Sequence, residues 1–220
     1  MDLFATLGVA LGLAMLAGLN LYLTIFITGL AVRADWLHDP QLAAALEGFG
    51  HPAVLAVSLG LFLVQFIADK VPWVDSLWDS IHTFLKPAGG VLLALASLGP
   101  EAGTFAQVSI AIIALAGSLL THGVKAGTRL TLNTSPEPFS NLGASIAEDL
   151  LVVGGYMVIV ANPVAAFFIF ALALGLFVYL TPRVTRAIHA ILWLIWRKLR
   201  VPAGDKSTRR KNLPSKLSSD

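Results

Sequence analysis

Apolar positions in this chain come in long runs rather than in alternation. Six runs read as membrane spans: residues 3–32, 54–68, 88–98, 105–120, 142–161 and 164–180. A bilayer core of about 30 Å needs roughly 20 helical residues. The first run overshoots that length, so it has to tilt, kink or break, and Gly18 and Asn20 mark the expected break. The third run is too short alone. The preceding helix must continue into it through Pro87, whose missing N–H and bulky ring predict a kink. A tight Asn162-Pro163 turn separates the last two runs. An amphipathic segment, 184–199, follows, then a polar tail, 201–220, expected to be disordered. The connection 34–52 is expected to hold a short surface helix over 40–49. The fold class predicted is all-α: a polytopic helical membrane protein with about six transmembrane helices, the first and third broken or kinked. It forms one membrane domain, 1–200, with a basic tail.

Charge orients this array. Residues 1–182 hold five Lys/Arg against eleven Asp/Glu, whereas 183–220 hold ten Lys/Arg against two Asp. Basic residues concentrate on the cytoplasmic side of membrane proteins. Six crossings with both termini cytoplasmic would leave only Arg33 outside among the basic residues. The start, Met1-Asp2-Leu3-Phe4, lacks the positive region of a signal peptide, and the first run is read as a retained span. A hydrophobic share of 56% exceeds the soluble norm, and mean hydropathy is +0.78. Without cysteine, thiolate chemistry and Cys-held metal centres are excluded. No cofactor is expected. Because the basic pI arises in the tail, it predicts contact with anionic lipid headgroups through Arg209-Arg210-Lys211 and not nucleic-acid binding.

Polar residues inside or beside the spans carry the candidate chemistry. Asp75, Asp79, His82 and Lys86 follow at i, i+4, i+7 and i+11, one helical face. Val74, Leu77, Trp78, Ile81 and Leu85 form the other face. Either this helix lies flat at the interface, anchored by Trp73 and Trp78, or it turns its acidic face inward to bind a cation or relay a proton. Glu148 and Asp149 sit about two turns inside the fifth span, and a membrane-embedded acid normally faces protein or water. Adjacent residues point about 100° apart, so one acid is expected to ligate or titrate while the other pairs with Lys125 or Arg129; a structural ion pair explains them equally. Asn20, Thr24 and Thr28 share a face, as do Gln65 and Asp69, and helix–helix hydrogen bonds are their default explanation. Gly18-Leu19-Asn20 is also readable as an unwound point whose free carbonyls coordinate a cation. The segment 125–141 reads either as a plain connector or as a re-entrant loop. In it Lys125 and Arg129, one turn apart, are candidates to hold a phosphate or lipid headgroup, Asn133, Thr134, Ser135 and Glu137 are candidate ligand contacts, and Ser140 or Asn141 is expected to cap the next helix. His51, His122 and His189 read as boundary residues. The short matches 59–62 with 174–177 and 81–82 with 188–189 do not establish a repeat.

The stretches 18–24 (Gly-Leu-Asn-Leu-Tyr-Leu-Thr), 68–79 (Ala-Asp-Lys-Val-Pro-Trp-Val-Asp-Ser-Leu-Trp-Asp) and 133–141 (Asn-Thr-Ser-Pro-Glu-Pro-Phe-Ser-Asn) resemble a family of bacterial integral membrane proteins, domain of unknown function 4126. The resemblance covers roughly residues 3–195. It implies a bacterial inner-membrane protein and no particular activity.

Three functions remain in view. A small proton- or cation-coupled transporter of a small solute, anion or lipid-like ligand would use the broken helix and the embedded acids. Six spans are few for one transport unit, which favours a homodimer. A structural or assembly protein in contact with membrane lipids would need only the hydrophobic spans and the tail. A membrane-embedded metal or acid–base enzyme would need the carboxylates and His82 to converge, but no hydrolase or metal-binding signature is present.

Overall fold

The computed structural model describes residues 2–132 and 138–200, and every described element is helical. In chain order these are α1 (Leu3–Arg33), α2 (Pro40–Ala45), a 3₁₀ turn (Glu47–Gly50), α3 (Pro52–Ala68), α4 (Pro72–Leu98), α5 (Thr104–Leu132), α6 (Pro138–Ala161) and α7 (Pro163–Arg200). Among the described residues five helices are long and apolar enough to cross a membrane, and α3 is a shorter apolar helix. At about 1.5 Å per residue α3 spans roughly 25 Å, the lower end of what a bilayer core accepts. The chain divides into two compact units, Met1–Gly175 and Leu176–Asp220.

In the first unit, α1 is broken. Asn20 has φ −143° and ψ 96°, outside the helical region. Its backbone and side chain act as a cap for the second half: Oδ1 accepts from the Leu23 amide at 3.1 Å, the pattern of a helix N-terminus. The Thr24 hydroxyl donates to the Asn20 carbonyl, and that of Thr28 to the Thr24 carbonyl.

The break reverses the chain. Gly90 of α4 packs against Ala14, and Thr6 shares a cavity with Leu98, so the first half of α1 runs antiparallel to α4. Gly29 packs against Leu55 of α3, and Tyr22 shares a cavity with Leu61, so the second half runs antiparallel to α3. Leu16 meets Gly155 of α6, and Thr28 lies beside the neighbouring Tyr156, yet in a straight helix those twelve residues would separate them by about 18 Å. Both ends of α1 therefore lie at one end of the bundle, where Ala5 shares a cavity with Leu37, His38 and Asp39. The expected break is present at Asn20, where α1 folds back into a helical hairpin.

The hairpin is the core of this unit. From Gly8 to Leu21 it is buried at nearly every position. Val9, Leu13, Leu16 and Leu21 pack with Leu93, Val152, Tyr156 and Ile159 from α4 and α6. Small residues make such close approach feasible. A Cβ on Gly18 would overlap the Thr121 hydroxyl and the Ser118 carbonyl of α5. Thr121 in turn donates to the Met15 carbonyl at 2.7 Å.

As expected, α4 continues through Pro87, which is buried. Other boundaries differ from expectation. α5 continues to Leu132, so residues 125–132 of the segment read as a connector or re-entrant loop are helical. α6 starts at Pro138, which places Ser140 and Asn141 inside it rather than at its cap. The surface helix over 40–49 is split into α2 and the 3₁₀ turn, with Asp39 capping α2 through the Gln41 and Leu42 amides. In the second unit, α7 continues through Pro182 to Arg200, so the amphipathic segment 184–199 is part of that helix. There Arg183 donates to the Tyr179 carbonyl at 2.6 Å and stacks on the Tyr179 ring.

Candidate functional site

The candidate residues converge below the hairpin tip. Helix α4 turns its polar face inward: Asp75, Asp79, His82 and Lys86 are all buried, whereas Leu77, Ile81 and Phe84 are exposed. A helix lying flat at the interface would expose the charged face, so burial favours the inward reading. Lys86, with no exposed surface, donates to Asp79 at 3.2 Å. The His82 Nδ1 lies 2.7 Å from the Trp78 carbonyl. A carbonyl only accepts, so Nδ1 carries the proton and Nε2 accepts from the Tyr22 hydroxyl at 2.8 Å. This bond ties the second half of the hairpin to α4. The Trp78 ring stacks on His82, centroids 4.6 Å apart.

Lys125 and Arg129, one turn apart on α5, hold α3 and α6 together. Lys125 reaches Asp69 at 2.8 Å and Glu148 at 3.0 Å. Arg129 clamps Glu148 with two bonds, Nε to Oε1 at 3.2 Å and Nη2 to Oε2 at 2.9 Å. Such a fork combines charge with direction. Its Nη1 also donates to the carbonyls of Asp69 and Asn141, each at 3.0 Å. Burying these charges is costly in isolation, and only dense pairing offsets it. Lys70, in the connection between α3 and α4, donates to the Phe66 carbonyl at 2.7 Å. Burial pushes its ammonium below the usual lysine range.

Glu148 and Asp149 divide the work between them. Glu148 takes both basic residues of α5. Asp149 faces the hairpin, where its Oδ1 accepts from the Asn20 side-chain amide at 2.9 Å. Among the described residues no Lys or Arg nitrogen lies at ion-pairing distance from it. Thr24 bonds only within its own helix, and Gln65 is buried beside this layer with neither polar atom paired. Asn133, Thr134, Ser135 and Glu137 lie outside the described residues.

His122, read from sequence as a boundary residue, is interior. The Thr83 hydroxyl donates to the Asp79 carbonyl, so the His122 Nε2–H donates to Thr83 at 3.2 Å. Its Nδ1 is left buried without a partner. Ser118, which donates to the Lys86 carbonyl at 3.1 Å, was also missed. The sequence signal for both was their helical spacing from Lys125, at i−3 and i−7. Among the described residues no group of three His, Cys, Asp or Glu side chains converges as a metal site.

Residues 7–183 match the model of a family described as Domain of unknown function (DUF4126), and the chain belongs to that family. No curated protein matches it. No solved structure does.

Proposed function

We propose that this member of the DUF4126 family is a small membrane transporter, coupled to a proton or another small cation and acting on a small polar solute. The observation that carries this reading is the contact between Asn20, at the tip of a re-entrant hairpin, and Asp149. Non-helical backbone at membrane depth is tolerated only where it is buried in protein or lines a cavity, and helices broken there are a recurrent device of transporters. Asp149 is the acid of this layer that meets a neutral amide instead of a cation. A carboxylate so placed is suited to taking up and releasing a proton. The hairpin supplies the moving part, held by two side-chain struts, Asn20 to Asp149 and Tyr22 to His82.

In the proposed orientation the charged seam faces the cytoplasm of a bacterial inner membrane. The connection 69–71 and the tail lie inside, the tail on anionic lipid headgroups. The N-terminus lies outside with 34–51 and 99–103, a side whose only basic residue is Arg33.

Proton flux into proteoliposomes, driven by a potassium diffusion potential and read with an entrapped pH dye, tests the reading. Asp149→Asn should abolish flux in a protein that still folds. Flux equal to that of empty vesicles in the unmodified protein would overturn it. The saturation of Lys125 and Arg129 by carboxylates also favours a second reading, a structural or assembly protein whose seam only fastens helices. Under that reading no substitution at Asp149 or Asn20 changes any flux.

A further inference from the structure

Gln65 is the most anomalous residue of the unit. It has no exposed surface, and neither its Oε1 nor its Nε2 has a hydrogen-bond partner. A buried amide left unpaired costs about 1–3 kcal/mol per group, so this chemistry calls for an occupant. Its position is set by register. Tyr22 stands beside Leu61 and Gly29 beside Leu55, in antiparallel order. One turn beyond Leu61, Gln65 reaches the depth of Asn20. One further turn along the same face is Asp69, whose Oδ2 binds Lys125 at 2.8 Å while its Oδ1 has no partner. On α6, Ser145, one turn before Asp149, is buried with its hydroxyl unpartnered.

The charge of the layer selects the occupant. Five carboxylates lie buried or half-buried here: Asp69, Asp75, Asp79, Glu148 and Asp149. The buried or half-buried cations are Lys70, Lys86, Lys125 and Arg129, one fewer. Uncompensated carboxylates in an apolar surround are costly, so the layer favours positive charge over an anion. The unpaired atoms are mostly oxygens: an amide carbonyl, a carboxylate and a hydroxyl. Such oxygen donors suit hard cations. The absence, among the described residues, of a three-ligand acidic or imidazole group turns the choice away from divalent metals.

We infer that Gln65 Oε1 and Asp69 Oδ1 form a binding site for a monovalent cation, alkali or ammonium, at the tip of the hairpin, with the Ser145 hydroxyl as a further oxygen. The inference rests on the transport reading for its role, since it adds a bound monovalent cation to the layer that holds the proton-accepting Asp149.

Thermal unfolding of the full chain in detergent, in sodium, potassium or ammonium chloride against N-methylglucamine chloride at equal ionic strength, tests it. One of the small cations should raise Tm by about 3–6 °C at tenfold its dissociation constant. Gln65→Leu should remove that rise, because an apolar side chain replaces the oxygen donor. Gln65→Glu should lower the half-saturating concentration, and it keeps the test decisive if the leucine variant does not fold. A Tm insensitive to cation identity, or a rise that survives Gln65→Leu, overturns the site; water alone then satisfies Gln65. Flux without a cation-specific shift sinks this inference alone. A cation-specific shift without flux sinks the transport reading alone.

Discussion

The two ends of the first unit bury opposite chemistry around one hairpin. Toward the connections 34–51 and 99–103, the arms of α1 are wrapped in aliphatic contacts, Val9, Leu13 and Leu16 against Leu93, Val152 and Ile159. Toward 69–71, the same helices α3 to α6 carry charge inward, and Lys86, Lys125 and Arg129 are among the largest fully buried side chains. The apolar end needs only shape to hold together. The polar end needs each charge placed against a partner, because lipid supplies no water to an unpaired group. Asn20 sits at the join. Under the proposed transport function the polar end also switches, and several experiments break or sharpen the contrast.

The all-or-none test concerns the sides of the membrane. The chain has no cysteine, so single cysteines report cleanly. A membrane-impermeant maleimide should label Asp2→Cys, His38→Cys and Glu101→Cys from one side and Lys70→Cys from the other. Labelling of Asp2→Cys together with Lys70→Cys would make α1 a crossing and dissolve the comparison.

Next in size is the charged end. Arg129→Met leaves Glu148 with Lys125 alone and strands the carbonyls of Asp69 and Asn141, and should cost about 3–5 kcal/mol, seen as a large drop in Tm or loss of folded protein. In the apolar end, Gly18→Ala forces a methyl into α5. It should cost about 1–3 kcal/mol by overpacking, visible in thermal unfolding and undiminished by the compensating Ser118→Ala if the Ser118 backbone is the obstacle.

Asn20→Ala removes a cap worth about 1 kcal/mol and the amide that reaches Asp149. A modest fall in Tm with a complete loss of proton flux would place switching at the tip; unchanged flux would remove it from there. The smallest effect is at Asp39, whose carboxyl is held below the usual aspartate range by the Leu42 amide and the other bonds of its cap. A depressed folded-state pKa gives stability that is present above the unfolded value, about 3.9, and lost as pH falls through the folded one. Asp39→Ala should therefore flatten the acid limb of the Tm profile by a small amount and leave neutral-pH flux unchanged.

Much of the inner end was readable from spacing. Asp75, Asp79, His82 and Lys86 fall on one face because helical periodicity demands it, and their burial follows from the aliphatic character of the opposite face. The division of roles between Glu148 and Asp149 follows from the angle between adjacent helical positions, but the assignment of Asn20 to Asp149 does not. Those two residues are 129 positions apart, and only the packing of α1 against α6 joins them. His122 was misjudged for a similar reason: one imidazole in an apolar run gives no sign of what faces it.

Composition and run length alone determined that this polypeptide is helical and lives in lipid, since burying so much apolar sequence in water has no solution at this size. They also determined that its first run was too long for one straight crossing. Whether that run would tilt, kink or return was a tertiary matter. It was decided by the fit of Gly18 against α5, by the cap Asn20 makes for the second half, and by the surrounding helices that bury both arms. A local pattern records what each turn prefers, whereas the direction of a chain after a break depends on which partners are there to receive it.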